Sequence, residues 1–161
     1  MRKSWKFYWV FFLMVGILPS TSVAAKCSGE EGQNPPWELV YSDGSANEYH
    51  FRQDAKDTPI NFEYTPVQPE NSSSGVYSGG DAKQGPVDEK TKRELHAWFQ
   101  KFETDKSLRA DARAMGTGAF TVKGGECSRD FIVKDGSLLR QFNHYLEKLR
   151  EKIPLKKESA H

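Results

Sequence analysis

The 161-residue chain contains only two cysteines, and its charges are almost balanced, with 23 lysines and arginines against 22 aspartates and glutamates. Two cysteines are too few for a disulfide-dense mini-protein or a cysteine-rich zinc module. A net charge of +1 offers no strongly basic surface for nucleic acid or an anionic membrane. The hydrophobic fraction of 37% is nevertheless enough to build a core, which argues against general disorder. Length and composition together indicate one domain.

The sequence also lacks the short motifs that mark common catalytic and cofactor sites. None of the four histidines lies in a His-x-x-x-His pair. Neither a Gly-x-Ser-x-Gly elbow nor a phosphate-binding Gly-Lys-Ser/Thr loop is present. Asp43, Ser45 and Asn47 have the alternate spacing of a calcium loop, but Glu48 stands where that loop needs glycine, so a turn is favoured. We therefore predict no catalytic residue, no metal site and no cofactor, and we expect that the protein is not an enzyme.

Residues 1–25 have the pattern of a cleaved signal peptide. Three cations fall within the first six residues, an apolar run follows at 7–18, and small residues precede a predicted cut after Ala25 or, as the alternative, Ala24. An uncleaved anchor is disfavoured because that run, at about 1.5 Å per residue, is shorter than the roughly 30 Å hydrocarbon core. We expect export to the periplasm or the extracellular space, with no stable membrane anchor after cleavage. A flexible segment at 26–36 and a charged tail at 154–161 are expected to flank the domain.

The two cysteines, Cys27 and Cys127, both lie after the predicted cleavage site. Because export leads to an oxidising compartment, we predict that they form a disulfide. The chain-entropy model gives the loop it would close a stabilisation of about 4.7 kcal/mol. One alternative is a lipid-modified Cys27, although Lys26 departs from the Leu-Ala-Gly-Cys pattern of lipoprotein signals. A second alternative is a pair of free thiols.

Alternation of apolar and polar residues predicts three strands in the first half of the domain, at 37–41, 47–53 and 60–64. Asp43 and Gly44 supply a turn between the first two strands, which indicates a hairpin. Two further strands are predicted at 119–122 and 127–134, on either side of a Gly-Gly pair.

Two helices are predicted from apolar residues that recur at helical spacing. The first covers 88–103 with Asp88 as its N-cap, and the second begins at Asp135 or Ser137 and ends near Ile153. A short helical stretch is also expected at 106–114. The predicted fold class is α+β, a single domain at 37–153. Its antiparallel sheet has about five strands with both amphipathic helices on one face, in the order β-β-β-α-β-β-α.

The segment 71–85 is rich in serine and glycine and is predicted to be a long loop. A loop of this length is typically either a disordered linker or a functional surface. Tyrosine presents a large contact area at a small cost in rotamer entropy. We therefore predict that the centre of the segment binds a partner, through Val76, Tyr77, Ser78, Gly79 and Gly80.

The layout of residues 72–150 resembles a known family. It comprises a Gly-Gly loop, a helix, a Gly-x-Phe-x-Val strand at 118–122, a Phe-Ile-Val strand at 131–133 and a terminal leucine-rich helix. This arrangement is similar to that of the emfourins, small protein inhibitors of thermolysin-like metalloproteases. The resemblance implies a protein partner that is a protease, and no functional residue is carried over from the family.

Two functional hypotheses follow from the sequence. In the first, the chain is an exported, non-catalytic binding protein that contacts a protein partner, as a protease inhibitor-like module. In the second, it binds a small molecule between the sheet and the helices, where Trp37, Tyr49 or Trp98 would line the site, or it has a structural role in the envelope. A small-molecule site of that kind predicts a sizeable apolar cavity inside the domain.

Overall fold

The computed structural model describes residues 36–124 and 127–156. The predicted signal peptide at 1–25, Cys27 and the rest of segment 26–35, and residues 157–161 of the predicted tail lie outside these ranges. Neither helix of the domain, nor any other in the described ranges, combines the length and apolar composition required to span a bilayer.

A seven-stranded antiparallel sheet and two α-helices make up the described chain, which confirms the α+β class. The strand order across the sheet is β4-β3-β2-β1-β6-β7-β5. The strands are β1 (Trp37–Ser42), β2 (Glu48–Gln53), β3 (Ile60–Thr65), β4 (Lys83–Val87), β5 (Arg109–Ala110), β6 (Gly118–Gly124) and β7 (Cys127–Val133). The helices are α1 (Glu89–Thr104), between β4 and β5, and α2 (Ser137–Glu151), after β7.

The prediction of about five strands was wrong, because two strands lie at the sheet edges where burial is incomplete. Strand β4 occupies the end of the segment 71–85 that was predicted to be a loop, and none of its residues is buried. Strand β5 lies within the stretch 106–114 that was predicted to be helical, where Lys106–Leu108 forms a single 3₁₀ turn instead. Edge strands bury little apolar surface, so their sequences need not alternate.

One face of the sheet carries the core. In β1, β2 and β3 every second residue is buried, as the alternation predicted. The register places Tyr41 beside Phe120, and Phe120 beside Phe131, so three neighbouring strands present aromatic rings to the same side. Their ring centroids lie 4.6 Å and 5.0 Å apart.

Both helices pack on that aromatic face. Phe102 of α1 contacts Phe120 with ring centroids 5.2 Å apart, and Phe142 of α2 contacts both Phe120 and Tyr41. The helices also contact each other through Trp98 and Phe142. The interior that was considered as a ligand site is therefore occupied by side chains of the domain itself.

The helix boundaries follow from their caps. Asp88 precedes α1, and its carboxylate accepts a hydrogen bond from the backbone N–H of Thr91 at 2.7 Å, which confirms the predicted N-cap. Helix α2 begins at Ser137 after Gly136, which makes no side-chain capping bond. The C-terminal segment then runs back along the sheet, where Leu155 forms an isolated bridge to Lys83 of the edge strand β4.

Candidate functional site

A polar cleft of about 560 Å³ opens at one end of the sheet. Three segments surround it: the turn between β1 and β2, the loop 77–79, and one side of α2. Its lining includes tyrosines, amides, carboxylates and guanidinium groups, contributed by Asp43, Asn47, Tyr49, Tyr64, Tyr77, Ser78, Gly79, Asp135, Arg140, Asn143, Glu147 and Arg150. A volume of this size lies within the range of roughly 300–1,000 Å³ that small-ligand sites occupy.

The turn between β1 and β2 is held by the side chain of Asp43. Its Oδ1 accepts hydrogen bonds from the backbone N–H groups of Ser45 and Asn47 at 2.8 and 2.9 Å. Its Oδ2 accepts one from the Asn47 amide at 2.8 Å. Ala46 takes a positive φ of 65°, a strained conformation for alanine that these bonds hold in place. The residues with calcium-loop spacing thus form a self-bonded turn.

Asn47 links this turn to the predicted partner-binding loop, and it is only 4% exposed. Its Nδ2 donates to the hydroxyl of Tyr77 at 2.9 Å, and its Oδ1 accepts from the backbone N–H of Val67 at 3.0 Å. Every polar atom of the side chain is therefore engaged, as is expected for a buried amide. From the sequence Asn47 was assigned to a strand and to a calcium-loop spacing, and its bridging role was missed because it depends on residues distant along the chain.

The 76–80 loop is fastened to the sheet through Gly79. The backbone N–H of Gly79 donates to the Val67 carbonyl at 2.9 Å, and its carbonyl accepts from the Tyr64 hydroxyl at 2.7 Å. A Cβ at this position would lie 2.0 Å from Oδ1 of Asn47, so only glycine fits without rearrangement. The centre of the predicted loop is consequently bonded to the sheet on both sides of the Gly79 peptide.

The structure brings three of the five predicted loop residues to the cleft. Tyr77, Ser78 and Gly79 line it, whereas Val76 is not among the lining residues and is 82% exposed. Gly80 follows with a φ of 90°, and its N–H donates to Oγ of Ser78 at 3.2 Å. Met115 also lines the cleft and is 96% exposed, and it was not among the residues predicted from the sequence.

Helix α2 forms the opposite wall. Arg150 donates to the Gly79 carbonyl at 3.3 Å, and its guanidinium lies 4.5 Å from the centre of the Tyr64 ring. Asn143 accepts a hydrogen bond of 2.5 Å from the hydroxyl of Tyr41. Arg140 pairs with Asp135 at 2.7 Å. This helix was predicted from its apolar stripe. That stripe gives no information on which residues the polar side of the helix faces.

Two tyrosines of the cleft, Tyr49 and Tyr64, have a pKa raised above the ordinary value and so remain protonated at neutral pH. Burial is the main cause that raises the pKa of Tyr64 to about 12, while the nearby Arg150 opposes the shift. Burial also raises the pKa of Tyr49, with further contributions from Tyr64 and Asp43. Tyr49 is 4% exposed and lines the cleft, yet its hydroxyl has no hydrogen-bond partner within the described ranges.

The other candidate residues of the sequence analysis lie elsewhere. Trp37 and Trp98 belong to the core or pack against it, and of the three aromatic residues considered for a small-molecule site only Tyr49 reaches the cleft. Cys127 is buried at the start of β7, away from the cleft lining. In the ranges 36–124 and 127–156, no group of three or more His, Cys, Asp or Glu residues is arranged to hold a metal ion.

No protein-family model, curated protein or solved structure matches the chain. The resemblance to emfourins therefore stays a prediction.

Proposed function

We propose that the chain is a small exported, non-catalytic binding protein that holds a protein partner with its 76–80 loop. The observation that carries the proposal is that this loop is fixed at the mouth of a cleft while an apolar side chain projects from it. Gly79 is bonded to both Val67 and Tyr64, yet Val76 is 82% exposed. An ordered loop loses little entropy on binding, which favours affinity, and loops on rigid scaffolds often carry binding function.

Met115 is a second exposed apolar residue at the cleft. It is 96% exposed and lines the opening that Tyr77 also lines. Val76 directly precedes Tyr77, so two exposed apolar side chains lie at or next to the residues that line the polar cleft. This pattern suits a protein surface, which combines apolar contacts with hydrogen bonds.

The chemistry of the cleft supports a non-catalytic role. A general base or nucleophile needs a pKa near the working pH, whereas burial shifts the pKa of Tyr49 and Tyr64 upward, away from neutrality. Both carboxylate oxygens of Asp43 accept hydrogen bonds from its own turn. No histidine is among the residues that line the cleft.

Affinity capture with matched variants tests the proposal. The full chain, expressed with its own N-terminal segment, is immobilised and exposed to the host's envelope extract and culture fluid. Two serine substitutions, Val76→Ser with Met115→Ser, are expected to weaken retention of the partner about tenfold or more, since they remove apolar contact area. Leu155→Ser is the control, because Leu155 is also an exposed apolar residue (56%) but lies outside the cleft. Equal retention of the partner by the unchanged chain, the double variant and the Leu155→Ser control would contradict the proposal.

The partner class that we propose is a protease, following the resemblance to emfourins. Purified chain is expected to slow peptide cleavage by a thermolysin-like metalloprotease, and the Val76→Ser, Met115→Ser variant to slow it less. If the enzyme cleaves at the same rate with and without the chain, a thermolysin-like partner is excluded, while the capture experiment still tests protein binding.

We also propose the Cys27–Cys127 disulfide. Cys127 pairs in register with Gly124, which itself pairs with Trp37, so the described chain begins two strands away from Cys127. That separation is about 10 Å, which the nine peptide units between positions 27 and 36 can span several times over. Mass spectrometry of the unreduced, protease-digested protein is expected to show the two cysteine peptides linked. Detection of both peptides with free thiols, or of a lipid on Cys27, would contradict it.

A further inference from the structure

The hydrogen-bonding groups of the cleft are only partly used by the protein itself. The Tyr49 hydroxyl has no partner in the described part of the chain, and Nδ2 of Asn143 is unused there because only its Oδ1 is engaged, by Tyr41. The Tyr77 hydroxyl accepts from Asn47 and still has its own proton to donate. The Tyr49 hydroxyl lines the cleft, so it, the Asn143 amide and the Tyr77 proton are together available to a ligand that enters.

The charges of the cleft are close to balance. Three carboxylates and two guanidinium groups line it. Asp135 is paired with Arg140, and Asp43 is engaged by its own turn. Hydrogen bonds from neutral groups leave the Asp43 carboxylate charged, so three charges remain: Asp43, Glu147, which lies 3.7 Å from Nδ1 of His144, and Arg150. An anionic ligand would be repelled by the two carboxylates and a cationic one by Arg150, so a ligand without a net charge fits best.

A neutral ligand that matches these groups must both donate and accept hydrogen bonds. Arg150, Asn143 and the tyrosine hydroxyls donate, whereas the carboxylate of Glu147 accepts. A hydroxyl group does both, and two neighbouring hydroxyls of one ligand can hydrogen-bond a guanidinium and a carboxylate at the same time. The ring of Tyr77, which is 38% exposed, adds an aromatic surface for the C–H side of such a ligand.

From this geometry we infer that the cleft is a binding site for a neutral saccharide unit, held between Tyr49 and Tyr77 on one side and Asn143, Glu147 and Arg150 of α2 on the other. The inference goes beyond the proposed protein contact, which uses the exposed rim residues Val76 and Met115. The interior of the cleft and its rim can be changed separately.

The test is a two-dimensional NMR titration of the isotope-labelled full chain, expressed with its own N-terminal segment. The probes are the methyl glycosides of glucose, mannose and galactose, together with N-acetylglucosamine. At least one is expected to shift the backbone amide signals of the 76–80 loop and of α2 around Asn143 and Arg150. If none of the four probes shifts these signals, the inference is wrong.

Two variants examine the assigned contacts. Tyr49→Phe keeps the ring and removes only the hydroxyl, and is expected to weaken binding about fivefold, the effect of one neutral hydrogen bond. Glu147→Gln is expected to weaken it about tenfold, since a bond to a charged group is stronger. Arg93→Gln, an exposed position on α1, is the control and should leave binding unchanged. If Tyr49→Phe and Glu147→Gln both bind the sugar as tightly as the unchanged protein, these residues do not contact it and the inference is wrong.

Charged and peptide probes test the ligand class. Glucosamine and glucuronate are expected to bind no more tightly than the neutral sugars, and blocked trialanine should not shift the same signals. Tighter binding of a charged sugar, or an equal response to the peptide, would contradict a neutral saccharide.

Sugar binding that persists in the Val76→Ser, Met115→Ser variant while the partner is lost would show that the two proposals concern separate surfaces. Partner capture without any sugar response would leave the protein contact standing alone.

Discussion

Replacement of Asn47 by alanine should destabilise the domain more than any other single change to the polar end of the sheet. The substitution removes three hydrogen bonds, to Asp43, Tyr77 and the backbone of Val67, with lengths of 2.8, 2.9 and 3.0 Å. Two of them are neutral and one involves a carboxylate. At about 1 kcal/mol for each neutral bond and somewhat more for the charged one, the loss in the free energy of unfolding should be about 3 kcal/mol.

Urea denaturation followed by tryptophan fluorescence measures this loss. Asn61→Ala is the matched control, because Asn61 is exposed on β3 and should change the unfolding free energy by no more than about 0.5 kcal/mol. Hydrogen exchange supplies a second readout, since the N–H of Gly79 should exchange faster once the loop is released. A loss below about 1 kcal/mol for Asn47→Ala, with the Gly79 amide still protected, would refute the bridging role.

Asn47→Asp separates the shape of this side chain from its charge. The aspartate still accepts from the Val67 N–H, but it places a second carboxylate next to Oδ2 of Asp43, where the amide of Asn47 now lies at 2.8 Å. Repulsion between them raises the pKa of one carboxyl in the folded state above its unfolded value. The folded state then binds the proton more tightly, so the stability deficit of this variant should shrink as the pH falls toward about 4.

The remaining predictions concern the loop anchor, the core and the half-buried His96. Gly79→Ala should cost about 1–3 kcal/mol in urea denaturation, because its Cβ would lie 2.0 Å from Oδ1 of Asn47. Phe142→Ala should cost about 3–5 kcal/mol in the same assay, since Phe142 joins both helices to the sheet. Burial, aided by Lys92, lowers the pKa of His96 to about 4. The unfolded chain therefore binds this proton first on acidification, so stability should fall between pH 6.5 and 4, and His96→Gln should lessen that dependence. An unchanged midpoint across this pH range would show that His96 titrates normally in the folded protein.

The alternating and helical patterns of the sequence were sufficient to predict the elements that build the core. Strands β1, β2 and β3 lie within one or two residues of their predicted bounds, as do both helices, because burying one face imposes a period that is visible in the residues themselves. The edge strands β4 and β5 carry no such pattern, since their residues are half-exposed and their pairing is determined by neighbouring strands. Edge strands of this kind can be assigned only once the strand with which they pair is known.

The same division holds for the candidate site. Composition alone singled out Tyr77, Ser78 and Gly79 as a surface segment, and the structure confirms that they lie together at an opening. What they face was not predictable, because hydrogen bonds from Asn47 and Arg150 to this loop join residues 30 and 71 positions apart. Periodicity records whether a side chain is buried, whereas a polar cleft depends on which distant side chains meet. The sequence by itself therefore determined the core strands, the helices and the exposed segment, and only the tertiary structure decided that they enclose a polar cleft.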